Sequence, residues 1–515
     1  MREQQTSNKR IAKNTIYLYL RLGFSMIIAL FTSRVILQVL GITDMGIQSS
    51  VGGVVTFATF LNGALSNGSS RFLTYALGEG DLEKTRNTFS TVFWVHAGLA
   101  VIIIIVTEIV GLYFLYNKLV IPEYRMDAAV WVFHLSILSM AVGMTQVPYS
   151  ATVVAHEKMT MFAYTGIIDV INKLIIVYLL TIVPGDKLKW YSTLFFVVHT
   201  GMALFYRWYC IHNFEETRLK FYFNRDIFKP IAQYSGWQLF AKGVIALNSQ
   251  GIVIMLNMFF SPAIVAARSI SLQVNGVASQ FMNNFRSAAT PQIIKSYAAG
   301  EYETSKRLLL QTTVLSFYLM WMMSLPICLL ADKLLYVWLG QVPEYSTIFL
   351  QLVVIQSLFQ IFDTGFYTAI SAKGRLRENA LTSPVLGFVV FFIIYILFRN
   401  GAGPIAQSWM FIIFYAILGL IFKPIILIHI VGGYQWRDFF LVFRQCLLVT
   451  AASLPIPLLF HFYISPIINN VYVTFIAEGF VCVLTIAIVV WFLGIDKEMK
   501  HKLITFVTQK LHRHK

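Results

Sequence analysis

The chain has 515 residues, of which 57% are hydrophobic and 12% charged, with a mean hydropathy of +0.69 and a formal net charge of +16. That composition excludes a soluble globular protein. Recurrent apolar runs of about 18 to 25 residues, each long enough to cross a bilayer as a helix, predict an all-α polytopic membrane protein; the short alternating segments of a transmembrane barrel are not in the sequence.

In chain order, helices are predicted at 14–37, 45–66, 88–113, 127–150, 161–183, 190–212, 235–260, 262–284, 309–331, 347–371, 381–399, 403–431, 443–465 and 470–494, fourteen in all. The polar start MREQQTSNKRIAKN does not read as a cleavable signal, because the apolar run behind it is too long for an h-region. Cys210, Cys328, Cys446 and Cys482 lie in or beside apolar runs and form no CxxC pair, so neither a disulfide framework nor a zinc site is expected. Connections on one side of the helices are basic: Lys9, Arg10 and Lys13; Lys84 and Arg86; Arg218, Lys220, Arg225 and Lys229; Lys306 and Arg307; Lys373, Arg375 and Arg377. The other side holds Lys118, Arg125, Lys187, Lys189, Lys333 and Arg399. By the positive-inside rule, roughly 28 basic residues against about 6 place both termini in the cytoplasm. Most of the net charge is therefore topology and attraction to anionic lipid, and no motif or aromatic-basic platform points to nucleic acid. The basic tail DKEMKHKLITFVTQKLHRHK is expected along the inner membrane surface.

A polar segment occurs twice, TYALGEGDLEKT from Thr74 and SYAAGEYETSKR from Ser296. Set 222 residues apart, Tyr75 falls on Tyr297, Gly78 on Gly300, Glu79 on Glu301 and Lys84 on Lys306; the first copy follows the polar stretch Asn62 to Ser66. A weaker match, PYSATVVA from Pro148 against FYTAISA from Phe366, has an offset of 218. Six helices separate the copies, so the halves share one orientation and a pseudo-twofold axis along the membrane normal is expected. The resulting organisation is a six-helix bundle over 1–212, a cytoplasmic linker over 213–234, a second six-helix bundle over 235–431, two additional helices over 432–494 and a basic tail over 495–515.

No connection exceeds about 25 residues, which leaves no room for a soluble catalytic domain. Walker A, HExxH and GxSxG sequences are missing, and the GEG at Gly78–Gly80 follows no strand and lacks a third glycine. The expectation is transport rather than catalysis. Polar side chains at helical spacing mark cavity-lining faces, since uncompensated polar groups do not face lipid. Helix 1 carries Asn14, Tyr17, Arg21, Ser25 and Thr32; helix 2 Ser49, Gly52, Thr56, Gly63 and Ser66; helix 7 Gln238, Lys242 and Ser249; helix 8 Arg268, Ser271, Asn275, Ser279 and Arg286. Under the repeat, Arg21 comes within a residue of Lys242. Each of Arg21, Arg34, Lys242 and Arg268 taken singly is near enough to a membrane edge to snorkel. As a set they read as a cationic cavity, where cations need an anionic partner and phosphate oxygens suit an arginine fork. Two carboxylates are candidates for ion coupling. Asp169 stands four residues from Lys173, for which an intrahelical ion pair is the plain explanation. Asp363 shares a face with Gln356, Gln360, Tyr367 and Ser371 and has no cation nearby in sequence, which suits proton or sodium exchange. Glu108 and Glu478 are weaker candidates, and His96, His134 and His199 read as hydrogen-bonded core residues.

The segments KNTIYLYLRLGFSMIIALFTSRVILQVLG from Lys13, SRFLTYALGEGDLEKTRNTFSTVF from Ser70 and NNFRSAATPQIIKSYAAGE from Asn283 carry a resemblance. With them the chain resembles Wzx-type polysaccharide or O-antigen flippases of the MATE-like (MOP) transporter superfamily, over essentially its whole length. The resemblance implies that an undecaprenyl-diphosphate-linked oligosaccharide is moved from the cytoplasmic to the periplasmic leaflet of a bacterial inner membrane. It also implies alternating access between two six-helix bundles, a diphosphate- or sugar-binding role for Arg21, Arg34, Lys242, Arg268 and Asn275, and coupling to a proton or sodium gradient with no other cofactor. Implied partners are the lipid-linked sugar, membrane lipid and other polysaccharide-assembly proteins, and the chain is expected to act as a monomer. A drug or cation exporter of the same superfamily is the nearest alternative, although it would favour an acidic or apolar cavity. A membrane-bound polymerase or ligase would need a larger outer loop.

Overall fold

The structure, a computed structural model, describes residues 2–58, 69–70, 72–156, 158–226, 228–229, 242–374, 376–495 and 500. Within these, the side chains of 2–22, 24–26, 58, 159–160, 162–163, 288 and 376–381 fall outside the description. Asn62 to Ser66, Gln238 and most of the basic tail also lie outside it. Every secondary-structure element among the described residues is helical: α1 Arg2–Ala58, α2 Leu82–Asn117, α3 Met126–Ala155, α4 Met159–Ile182, α5 Lys187–Asn213, α6 Lys242–Phe259, α7 Pro262–Ala298, α8 Tyr302–Leu329, α9 Ala331–Leu339, α10 Ser346–Lys373, α11 Leu376–Arg399, α12 Ala406–Val431, α13 Trp436–Ile467 and α14 Val471–Gly494, with short single turns between them.

Twelve segments among the described residues are long and apolar enough to cross a membrane. The fourteen predicted helices map onto the chain with three differences; α9 falls almost wholly in a stretch read as a connection, and the other two each have a local cause. The first two run on as α1, where Gly41 adopts φ 79° and ψ 171°, a conformation open to glycine that bends the helix without a loop. The eighth predicted helix is α7, whose Arg268, Ser271, Gln273, Asn275 and Arg286 dilute its hydropathy below that of a lipid-facing span. Some helix starts are set by short polar caps. The Asp81 carboxylate accepts from Lys84 N at 3.0 Å, and the Asn470 side chain accepts from the amides of Tyr472 and Val473.

The duplication is visible in the order of elements. The starts of α2 and α8 (Leu82, Tyr302), α3 and α10 (Met126, Ser346), α4 and α11 (Met159, Leu376) and α5 and α12 (Lys187, Ala406) lie 217 to 220 residues apart. The backbone also corrects the register. Gly80 and Gly300 both have left-handed φ (77° and 80°) and both donate to the carbonyl three residues back, so Gly80, not Gly78, is the partner of Gly300. That shift to an offset of 220 brings buried Thr85 onto buried Ser305 and leaves Arg21 beside Lys242 in register.

Internal contacts divide the chain into two compact units: Met1–Ala267 with Gly387–Asn400, and Arg268–Leu386 with Gly401–Lys515. The repeat assigns α6 and all of α11 to the second half, whereas packing groups α6 and residues 387–400 with the first unit. There Gly251 seats the Phe391 ring, Gly387 seats the Asn248 side chain, and Phe259 meets the rings of Tyr395 and Phe398 at 5.8 Å. The first unit is built around Ile47, Val51, Val132, Phe133 and Leu188, all fully buried. Inside it Asn257 donates to Ser50 Oγ (2.9 Å) and accepts from the amide of Val120 (2.9 Å), so its buried amide is satisfied. The second unit is built around Phe366, Phe439, Tyr318 and Trp321, and Trp321 Nε1 donates to Ser453 Oγ at 2.8 Å.

Candidate functional site

The polar face of α7 in the second unit is the densest of the predicted stripes that can be followed in side-chain detail. Arg268, Ser271 and Asn275 stand one turn apart and are all buried. Ser271 Oγ donates to the Ser346 carbonyl at 2.9 Å, and Ser357 Oγ donates to Asn275 Oδ1 at 2.9 Å. The lower part of the stripe therefore ties α7 to α10, and Asn275 is positioned by α10 rather than left open. Arg268 differs. It keeps only 8% of its surface exposed, so it does not snorkel, and its Nη1 has no hydrogen-bond partner. No carboxylate among the described residues pairs with it. A buried guanidinium in that condition costs several kcal/mol unless an anion meets it.

The other predicted cations are less constrained. Lys242, at the start of α6, and Arg34, in α1, are exposed, and the Arg21 side chain lies outside the described residues. The structure thus describes Arg268 and Asn275 in one unit and Arg34 and Lys242 in the other, with only Arg268 both cationic and buried.

Asp363 does have a cation, which comes from α12. Lys423 Nζ lies 3.0 Å from Asp363 Oδ1, and that oxygen has no aligned hydrogen-bond donor. The approach rests on Gly419, where a Cβ would stand 2.9 Å from Phe362 Cβ and 3.0 Å from the Phe359 carbonyl. The π turn Leu418–Phe422, which contains Gly419, ends directly before Lys423 and re-aims the helix so that Lys423 points at α10. The ammonium also sits 5.6 Å from the centre of the Tyr367 ring, one turn beyond Asp363. From α7, the Arg286 guanidinium donates to the Thr364 carbonyl and its charge acts on Asp363; Tyr415 of α12 is the other titratable group that the carboxylate reaches.

The remaining predicted carboxylates have plain partners. Asp169 pairs with Lys173 at 2.9 Å, both about half exposed. Glu108 Oε1 accepts from His134 Nδ1 at 3.0 Å. Glu478, wholly buried in α14, meets His461 Nδ1 at 2.6 Å and Lys333 Nζ at 3.4 Å, while Lys333 also donates to Ser465 Oγ. His96 is buried against Ser69 Oγ at 3.0 Å, and His199 lies in α5 with its ring stacked on Phe195.

Two cations escaped the sequence reading. One is Lys423, the single charged residue inside the 26-residue apolar span Ala406–Val431, and that isolation was a usable signal. The other is Arg207 in α5, which donates to Thr145 Oγ1 and lies 5.8 Å from the Tyr149 ring centre. Among the described residues no group of three or more His, Cys, Asp or Glu side chains could hold a metal ion.

No family model and no curated protein sequence matches the chain. Solved structures do. The lipid II flippase MurJ in its inward closed conformation aligns with TM-score 0.69 at 12% identity, over 92% of this chain and 98% of that one. An inward-facing multidrug-resistance MATE transporter of the MOP superfamily aligns with TM-score 0.62 at 13% identity, over 84% and 98%. The MATE multidrug transporter DinF-BH, solved as a complex, aligns with TM-score 0.57 at 14% identity, over 84% and 96%. At these identities the likeness establishes a shared fold.

Proposed function

We propose that this chain is a flippase that moves a polyprenyl-diphosphate-linked oligosaccharide across the bacterial inner membrane, by alternating access and at the expense of an ion gradient, for surface polysaccharide synthesis. The observation that carries this reading is Arg268. A guanidinium held at 8% exposure in a membrane-protein helix, with Nη1 lacking an acceptor, calls for an anion of fixed geometry. A diphosphate supplies one, because its oxygens match the planar donor fork. The basic character of Arg21, Arg34 and Lys242 supports the same class of substrate and disfavours a cationic drug. MurJ, named as a lipid II flippase, shares the fold, and the Wzx-like sequence segments suggest a polysaccharide repeat unit as the cargo.

The test is reconstitution into liposomes with a labelled undecaprenyl-diphosphate oligosaccharide, following its arrival in the opposite leaflet. Wild-type protein is expected to accelerate transfer. Arg268→Gln should slow it by about 10- to 100-fold, the loss of one charge-assisted hydrogen bond of roughly 1.5–3 kcal/mol. Arg21→Gln combined with Lys242→Gln should abolish it while the protein still inserts and folds. Transfer of no polyprenyl-linked sugar, with uptake of a cationic dye instead, would replace this reading with that of an exporter.

A further inference from the structure

The chain that follows α5 does not leave the helices; it returns along the first turns of α2. Its base is locked at the turn Glu215–Thr217, where the Glu216 carboxylate, buried at 4% exposure, meets His156 Nε2 at 2.5 Å and the Phe214 ring stacks on His156 at 4.2 Å. Beyond that turn, side chains of α2 fasten the extended backbone. Arg86 Nε donates to the Arg218 carbonyl at 2.8 Å and Trp94 Nε1 to the Lys220 carbonyl at 3.0 Å. Ser90 Oγ accepts from the amide of Lys220 at 3.1 Å, and Thr91 Oγ1 from that of Asn224 at 3.4 Å. Non-helical backbone beside a membrane helix needs such partners. The strap held in this way, residues 218–224, presents its aromatic rings outward. Phe221 is 93% exposed, with its ring against that of Trp94 at 5.0 Å, and Phe223 is 57% exposed. Left in water, rings on so fixed a segment would forfeit most of their transfer free energy. The level of the strap follows from α2, whose mainly apolar residues 89–116 rise about 40 Å as a helix against roughly 30 Å of hydrocarbon. The first turns of that stretch, with Trp94, therefore stand at the edge of the hydrocarbon. The charge suits that level. Arg86, Arg218, Lys220, Arg225 and Lys229 outnumber Glu215, Asp226 and Glu83, the last 3.9 Å from Lys220, and Lys84 is paired with Glu79.

We propose that the strap 218–224 is a binding site for anionic phospholipid, with Phe221 and Phe223 seated at the acyl boundary beside Trp94 and with Arg218, Lys220 and Arg225 meeting the headgroup phosphate. Rings and cations on one short segment suit that boundary: the rings leave water for the upper hydrocarbon, and each cation gains from the anionic headgroups. A soluble partner would have to reach rings that stand level with the span of α2, where the bilayer itself lies. Ser90, Thr91 and Trp94 act as positioning residues, since they fix the backbone while the strap's own side chains meet the lipid. This is a built site with a headgroup preference, distinct from the general attraction of the basic side for anionic lipid, and it does not depend on what the protein transports.

The experiment uses the full-length protein in nanodiscs, with the four native cysteines replaced by serine and a bimane reporter on Phe221→Cys. The quencher is brominated phosphatidylglycerol or brominated phosphatidylcholine, each at the same low mole fraction in unbrominated phosphatidylcholine. Both should quench the reporter, and the anionic lipid should do so at least about threefold more strongly. Arg218→Gln combined with Lys220→Gln and Arg225→Gln should bring that ratio to about one, while quenching by phosphatidylcholine persists. A reporter on Tyr124→Cys, exposed beyond the far end of α2, should show no such preference, which separates the site from enrichment of anionic lipid around the whole protein. Should the triple variant not fold, the unsubstituted strap in about 1 M salt makes the same comparison, its ratio again falling to about one. The proposal is overturned by an absence of quenching at position 221 with either lipid, which would leave the rings to water or to another protein. Equal quenching by the two lipids, an equal preference at position 124, or a preference that survives the triple variant or high salt would overturn it as well.

Discussion

At the scale of the residue, what matters is the condition in which each charged group is left. Arg268, Lys423 and Glu478 are all buried in membrane helices, yet their surroundings differ. Glu478 is enclosed by His461 at 2.6 Å and Lys333 at 3.4 Å, and Lys333 is in turn anchored on Ser465. That closed set fastens α13 and α14 to α9 and reads as architecture. Replacing Glu478 by Leu should cost about 1–3 kcal/mol of stability, less than a fully sealed pair because Lys333 keeps 29% exposure. The thermal midpoint should fall. Sequence reasoning ranked Glu478 low for function. It left Asp363 without a cation because Lys423 is distant in sequence and adjacent only after α12 has packed on α10.

At the scale of the element, close approaches and caps decide where side chains arrive. Gly419 is the contact point of α12 on α10. A Val there would press on the Phe359 carbonyl, which cannot move without the helix, so Gly419→Val should cost about 1–3 kcal/mol and separate Lys423 from Asp363. Thermal unfolding reads the first effect. In the first unit, Arg125 binds Asp44 and Asp186 through paired hydrogen bonds of 2.6 to 3.0 Å, fastening the starts of α3 and α5 to α1. Burial pushes the Asp186 carboxyl up, but hydrogen bonds from Arg125 and from the amides of Lys189 and Leu188 outweigh it and hold the group below its ordinary value. A depressed carboxyl stabilises the fold fully above the ordinary carboxylate range and loses that contribution as pH falls through its lower folded value. The Asp186 contribution should therefore be lost below about pH 4, and the thermal midpoint of Asp186→Asn should fall less than that of wild-type protein over the same window.

At the scale of the whole molecule, the duplicated helix order makes a topological prediction. With the four native cysteines replaced by serine, Glu79→Cys and Glu301→Cys should both react with a membrane-impermeant maleimide from the same face of the membrane, the cytoplasmic one. Labelling from opposite faces would break the parallel-repeat reading. The all-helical class, the positions of nearly all the helices and the existence of the repeat were legible in the sequence. Apolar length, cap residues and polar loops are local properties, and the bilayer makes them decisive by forbidding unpaired backbone. Three things were decided only by tertiary structure. The repeat register moved from 222 to 220 because a left-handed glycine, not residue identity, marks where each helix ends. The packing units parted from the duplicated halves because α6 and residues 387–400 find their apolar partners in the first unit. The state of each buried charge depended on which helix came to lie against it: Arg268 was left without an acceptor for Nη1, while Asp363 gained Lys423. Helix propensity and hydropathy act within a segment, but the pairing of Lys423 with Asp363 acts between segments, and no single stretch of chain contains both partners.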